Sequence, residues 1–121
     1  MPIIYRYVDI MAKTNASFMS GVPELLVLRL LMRQEMYGYE IVRGIRSATN
    51  ESIVLAEGVI YPTLHSLEKK GHLKAVPKTV EGRTRVYYSV TNKGKKRFDV
   101  INDKWKVITA GVNSCLEFSY V

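Results

Sequence analysis

The stretch Gly58-Val59-Ile60-Tyr61-Pro62-Thr63-Leu64-His65-Ser66-Leu67-Glu68-Lys69-Lys70 sets the fold. Ile60, Leu64 and Leu67 fall at i, i+4 and i+7, which predicts a helix with one narrow apolar stripe. Pro62 is tolerated in a first turn, and Gly71 supplies a stop. On the other face stand Val59, Pro62, Thr63, His65, Ser66, Lys69 and Lys70, small or basic and without a carboxylate. Such a face is suited to lie against phosphates.

Working upstream, Ile41, Val42, Ile45 and Ala48 repeat at helical spacing after Met36-Tyr37-Gly38, with Glu40, Arg43 and Arg46 opposite. This predicts a second helix ending near Thr49-Asn50. Before it, Val22 to Gln34 is apolar around most of the wheel, leaving Glu24, Arg29 and Arg33 as a polar stripe and Pro23 in the first turn. That helix should be buried on most sides. Residues 1–20 fit no single period and read as an N-terminal arm or short helix.

Downstream, two strand-like runs, Leu73 to Val80 and Arg85 to Val90, flank Glu81-Gly82-Arg83-Thr84. Val86, Tyr88 and Val90 alternate with Arg85, Tyr87 and Ser89, the pattern of a β-hairpin. Pro77 cannot donate to a ladder, so its strand should lie at an edge or carry a bulge. Thr91 offers an N-cap to a last helix, on which Phe98, Ile101, Trp105, Ile108, Val112 and Cys115 alternate at spacings of three and four. This is nearly three heptads of seam, the pattern of a dimerisation helix.

The order is mainly α with a small β-hairpin: a winged helix-turn-helix plus a C-terminal dimerisation helix. It divides into residues 1–20 as the arm, 21–91 as the DNA-binding winged unit and 92–121 as the dimerisation helix. In such a unit the third helix enters the major groove and the wing adds backbone or minor-groove contacts.

Charge agrees with that order. Eighteen Lys and Arg stand against eleven Asp and Glu, a formal +7 over 121 residues. From Glu68 to Lys106 the balance is +8, and the rest of the chain sums to −1. A positive field confined to one region favours an anionic partner, although a charge run also serves as an ordinary solvated face. With 47% hydrophobic and 24% charged residues the chain can form one folded domain. Cys115 is the lone cysteine, which excludes an internal disulfide and a four-cysteine zinc site and makes a reducing cytoplasm the simpler location. The most apolar stretch, Val22 to Met32, contains Glu24 and Arg29 and is too short to span a bilayer. His65 and His72 lack a third ligand at metal spacing, so no metal is expected. No phosphate loop and no paired nucleophile points to an enzyme or to a cofactor.

Tyr37-Gly38-Tyr39-Glu40-Ile41, the run from Glu57 to Gly71, and Arg85-Val86-Tyr87-Tyr88-Ser89-Val90-Thr91-Asn92-Lys93-Gly94 together resemble the PadR family of transcriptional regulators. With one helix after the wing, the chain is similar to the family's short subfamily, which includes a lactococcal multidrug resistance regulator. The resemblance implies a prokaryotic homodimeric repressor that binds an inverted-repeat operator in double-stranded DNA and is released by a small-molecule effector. It also implies that Tyr39 and Tyr61 approach the operator backbone. Tyr61 has a second reading as core beside Ile60 and Leu64.

Position after Thr91 matches Trp105 to a family tryptophan that sandwiches planar aromatic compounds between two subunits. In a coiled-coil interface Trp105 also reads as plain seam core, the more frequent fate of such a residue. Two residues depart from the family pattern. Ala56 stands where many relatives carry Ser or Thr as an N-cap, a loss of about 1 kcal/mol. Val59 stands where Ser or Thr is common, so it can meet a thymine methyl but cannot donate a hydrogen bond.

The DNA-facing residues expected are therefore Tyr39, Val59, Tyr61, Pro62, Thr63, His65, Ser66, Lys69, Lys70, Arg83 and Arg85. The cluster Lys93-Gly94-Lys95-Lys96-Arg97 opens the last helix, where cations oppose the macrodipole, and an external anion would help to explain it. The alternative to a DNA-binding regulator is a multidrug-binding or protein-interaction module on the same scaffold with weak DNA affinity.

Overall fold

A computed structural model describes residues 20–119. The expectation of an arm or short helix over residues 1–20 lies outside these, apart from Ser20. Helix α1 spans Val22–Leu31, strand β1 Met36–Tyr37, helix α2 Gly38–Ala48 and helix α3 Glu57–Lys69. Strands β2 (Leu73–Val80) and β3 (Arg83–Val90) precede the long helix α4, Asn92–Leu116. The strands form one antiparallel sheet in the order β1-β3-β2. This is a winged helix-turn-helix with an appended C-terminal helix.

Helix α1 buries Val22, Leu25, Val27, Leu28 and Leu31, which makes it the central element. Around it the core takes Ile41 and Ile45 from α2, Leu55 from the following loop, and Ile60, Leu64 and Leu67 from α3. Leu73 and Tyr88 close the core from the base of the sheet and Phe98 from α4. Burying one such side chain contributes about 1.5–3 kcal/mol, so the i, i+4, i+7 stripe of α3 fixes which way that helix faces.

Several boundaries differ from the sequence reading. Helix α1 ends at Leu31 rather than near Gln34, and Ala48 is exposed although it shares the spacing of Ile41 and Ile45. The hairpin has company: Met36 pairs with Tyr88 and Tyr37 with Tyr87, adding a two-residue third strand. Its turn is tighter than the four residues expected, because Val80 already pairs with Arg83. Glu81 and Gly82 take φ of 53° and 76°, left-handed values at both central positions, as a two-residue type I′ turn requires. Pro77 falls on β2, the outer strand, where its missing N–H breaks no internal ladder.

Helix α3 starts at Glu57, so Pro62 sits in the second turn rather than the first. The hydrogen bond it cannot donate would have gone to the carbonyl of Gly58. Gly58 is exposed, so a carbonyl left unpaired there faces solvent rather than the core. Ala56 is the N-cap and provides no side-chain hydrogen bond.

Thr91 caps α4, accepting from the Gly94 N–H at 3.0 Å. The Thr91 hydroxyl lies 2.7 Å from the carbonyl of Gly71 and its N–H donates to His72 O at 3.1 Å, locking the α3–β2 corner to the start of α4. Among the described residues no helix is long and apolar enough to cross a membrane, and no group of three His, Cys, Asp or Glu could hold a metal ion.

Candidate nucleic-acid interface

The buried stripe of α3 dictates the rest of its surface. With Ile60, Leu64 and Leu67 inward, 100° per residue turns Gly58, Pro62, His65, Ser66 and Lys69 outward, and all five are exposed. Val59, Thr63 and Lys70 lie along the flank toward α1, where Thr63 and Lys70 share a shallow hollow with Gly21 and Glu24. Val59 and Thr63 are half-buried, and the Thr63 hydroxyl bonds back to Val59 O at 2.8 Å. Tyr61 is on the opposite flank, toward α2 and the sheet. Its ring covers Gly38, the first residue of α2. About a third of Tyr61 stays accessible, so it belongs neither wholly to the core nor wholly to the surface.

Between α3, the start of α2 and β3 runs a groove of about 430 Å³, lined by Tyr39, Tyr61, His65, Arg85 and Tyr88 among others. Three elements separated in sequence thus bring expected contact residues to one place. Tyr39 is half exposed on the first turn of α2, and the Arg43 guanidinium stacks over its ring at 5.0 Å. The Arg85 guanidinium stacks over Tyr37 at 4.4 Å. Tyr37 meets Tyr87 edge-on at 5.5 Å, and Lys78 lies over Tyr87 while pairing with Glu35. One face of the sheet therefore carries a row of cations held on tyrosine rings. Arg83 is at the tip, exposed.

Tyr88 is buried, and burial together with the negative field of Glu68 pushes its hydroxyl above the usual tyrosine range. It stays a neutral donor through the physiological range. The sequence reading placed Tyr88 in the hairpin alternation and gave no contact role to it, to Arg43 or to Tyr37. Only the register Tyr37↔Tyr87 and the return of α3 past β3 place them beside the expected contacts.

Two of the four cations opening α4 are explained from inside the molecule. Lys93 donates to the Lys70 carbonyl at 2.9 Å, so its charge sits at the C-terminus of α3, where the dipole favours it. Arg97 donates to both carboxylate oxygens of Glu24, at 2.8 and 3.4 Å, tying α4 to α1. That hydrogen bond raises the Arg97 pKa. Gly94 is buried because a β-carbon there would stand 2.1 Å from His72 O. An external anion is not needed for Lys93 or Arg97. Lys95 and Lys96 point to solvent, with no ion pair among the described residues.

Along α4, Phe98 is within the protomer's own core and Ile101 is packed against it. Trp105, Ile108 and Val112 are 43%, 59% and 53% exposed, and Cys115 is exposed as well. Trp105 borders a cavity of about 450 Å³ between α1 and α4, with Leu25, Leu26, Arg29 and Phe98.

Residues 27–100 match the family described as transcriptional regulator PadR-like. The chain belongs to this family. A PadR-like regulator from Clostridium difficile R20291 is similar in structure, with TM-score 0.70, 31% identity, and coverage of 79% of this chain and 99% of that one. A transcriptional regulator from Clostridium thermocellum gives TM-score 0.75 at 29% identity, over 82% of this chain and 94% of that one. In sequence, uncharacterized protein X of Lysinibacillus sphaericus is 29% identical over 104 residues, 85% of this chain and 95% of that protein. The PadR-like family consists of DNA-binding regulators of transcription and not of enzymes.

Proposed function

We propose that this PadR-like protein is a homodimeric repressor that binds an inverted-repeat operator in double-stranded DNA. The carrying observation is the shared surface: Tyr61 and His65 of α3, Tyr39 on the first turn of α2 and Arg85 of β3 line one groove. In this reading α3 enters the major groove with Pro62, His65 and Ser66 toward base edges and Lys69 toward a phosphate. Val59, Thr63 and Lys70 follow one strand, Tyr39, Tyr61 and Arg85 the other, and Arg83 reaches the adjoining minor groove. An apolar or acidic α3 surface would favour a protein partner instead, and α3 offers neither.

Dimerisation is supported by α4. It exposes Trp105, Ile108 and Val112 on one side of a 25-residue helix, more apolar surface than a lone helix leaves in water without a partner. A second copy meeting this seam would set two α3 helices about one DNA turn apart. In this reading a planar aromatic effector binds beside Trp105 and releases DNA by favouring an operator-incompetent spacing. Such a regulator acts in the cytoplasm.

The deciding experiment is a mobility shift on the promoter region of the protein's own gene across a range of salt. A specific complex that weakens steeply with salt supports the repressor reading. Binding to planar dyes with no salt-dependent DNA complex would favour the drug-binding module.

A further inference from the structure

We propose that His72 makes the joint between the winged unit and α4 a pH-sensitive hinge: when its ring is protonated the joint loosens, and two units joined through α4 lose the spacing that an operator requires. The inference rests on the dimeric DNA-binding reading above and adds a control on it. The main chain of His72 is where α3, β2 and α4 meet. Its N–H donates to Leu67 O near the end of α3 at 2.9 Å. Its carbonyl accepts from the Thr91 N–H and lies 3.1 Å from the Thr91 hydroxyl, at the start of α4. The same carbonyl leaves no room for a β-carbon at residue 94. Along α4, Phe98 is in the core and Ile101 packs on it, whereas every residue from Asp103 to Ile108 is exposed. The helix is thus held at its base. Val112 lies about 27 Å along it from Gly94, so a tilt of about 10° at the joint moves Val112 by about 5 Å.

The ring sits where a charge is poorly tolerated. Its Nδ1 is buried with no hydrogen-bond partner among the described residues. A neutral ring can carry its proton on Nε2 and leave Nδ1 an unpaired acceptor, whereas the imidazolium puts a charged donor there with nothing to accept it, which costs more. Charged groups face it from each helix packed at the joint: Lys93 and Arg97 from α4, Lys70 from α3 and Glu24 from α1. Glu24 is the one carboxylate of this group, and Arg97 already holds it at 2.8 and 3.4 Å. A charged His72 makes four cations around one carboxylate. It gains relief by taking Glu24 from Arg97, which undoes the tie between α1 and α4, or by parting from Lys93 and Arg97, which ride on α4. Either loosens the base of the helix. Burial first, then Lys93 and Arg97, keep the ring neutral to below its ordinary value of 6.5, with Lys70 adding and Glu24 opposing. The joint is therefore tight at neutral pH and loosens as pH falls through the lowered value.

The test titrates the full chain, as wild type and His72→Gln, from pH 7.5 to pH 5.5. One duplex comes from the promoter region of the protein's own gene, and a second is the same duplex with one half-site scrambled. Protection of the Thr91 and Gly94 amides against hydrogen exchange is followed in parallel without DNA. Wild type should lose about tenfold in affinity for the intact duplex, matching a tenfold difference in proton affinity between loose and tight joints, and no more than about twofold for the scrambled one. His72→Gln should be flat on both and keep the protection that wild type loses in acid. If His72→Gln does not fold, Lys93→Met carries the test, since one cation fewer should move the loss to higher pH. Wild-type affinity and protection as flat as the variant's would mean that the ring turns into water, and would overturn the hinge. Equal losses on both duplexes would place the titration at the DNA contacts, where His65 also lies, and overturn it too. No binding to any duplex at any pH would overturn the DNA-binding reading, while amide protection would still decide the hinge.

Discussion

The ring of Tyr61 lies so close over Gly38 that a β-carbon at residue 38 would stand 2.6 Å from both Cε1 and Oη of the tyrosine. Gly38 is therefore required for where it lets Tyr61 rest. It opens α2 immediately after β1, so this contact joins the helix-turn-helix to the third strand of the sheet. Tyr61 is partly accessible and can swing outward, so Gly38→Ala should leave the fold standing and move the tyrosine. The expected result is a melting temperature within a few degrees of wild type and DNA affinity several-fold lower. A Tyr61→Ala variant should be insensitive to the same change, and anisotropy titrations of the two singles and the double check it.

Gly94 is the opposite case. The atom that a new β-carbon would meet is the backbone carbonyl of His72, at 2.1 Å, and backbone at the locked corner between α3 and α4 cannot step aside. Gly94→Ala should cost about 1–3 kcal/mol, the usual cost of overpacking, despite the better helix propensity of alanine. Urea denaturation at constant m-value measures it.

Acid should weaken the same corner. His72 Nδ1 is buried without a hydrogen-bond partner, and burial, then Lys93 and Arg97, lower the His72 pKa, with Glu24 opposing and Lys70 adding to the effect. The folded state thus prefers the neutral ring. Its contribution to stability is complete above the ordinary value of 6.5 and is lost as pH falls through the depressed folded value. Thermal midpoints taken from pH 8 to pH 5 should decline more for wild type than for His72→Gln.

The seam of α4 gives a prediction on assembly. Ile108 and Val112 are exposed in the protomer, so Ile108→Glu or Val112→Glu removes no internal contact of the core. If the proposed dimer forms through this seam, each should sediment as a folded monomer at concentrations where the unsubstituted chain sediments as a dimer. DNA affinity should drop by more than tenfold because two half-sites no longer bind together. A Phe98 substitution would not test this, since that ring closes the protomer's own core.

These cases also show what could be read from the chain. Periodicity located the stripe of Ile60, Leu64 and Leu67, most of the core face of α1, and Ile41 and Ile45 of α2, and the Thr91 cap stands in the structure; of the hairpin alternation only Tyr88 is buried, and Val86 is exposed. Two kinds of feature escaped. Strand β1 is two residues long and has no period to detect. The roles of Lys93, Arg97, Tyr37 and Tyr88 depend on neighbours 23 to 73 residues away or across the sheet, which spacing along a helix does not encode. Lys93 and Arg97 looked like parts of a basic patch because sequence counts charge without partners. Of the candidate site, the residue types and the exposed side of α3 were legible, while the groove that gathers them was not.

That distinction between paired and unpaired cations can be measured as ion release. Arg83 at the wing tip and Lys69 on the exposed side of α3 have no ion pair among the described residues. If each meets a phosphate, Arg83→Ala and Lys69→Ala should each flatten the slope of log K against log salt by about 0.9. Arg97 holds Glu24 across α1 and α4 instead, so Arg97→Ala should leave the slope nearly unchanged. Both partners are partly exposed, so its cost is a stability loss of about 0.5–1 kcal/mol. Titrations of the three variants at four or more salt concentrations separate the groups. Wild-type slopes for both Arg83→Ala and Lys69→Ala would mean that neither the wing tip nor Lys69 touches the backbone. An Arg97 slope as shallow as the others would move the interface toward the start of α4.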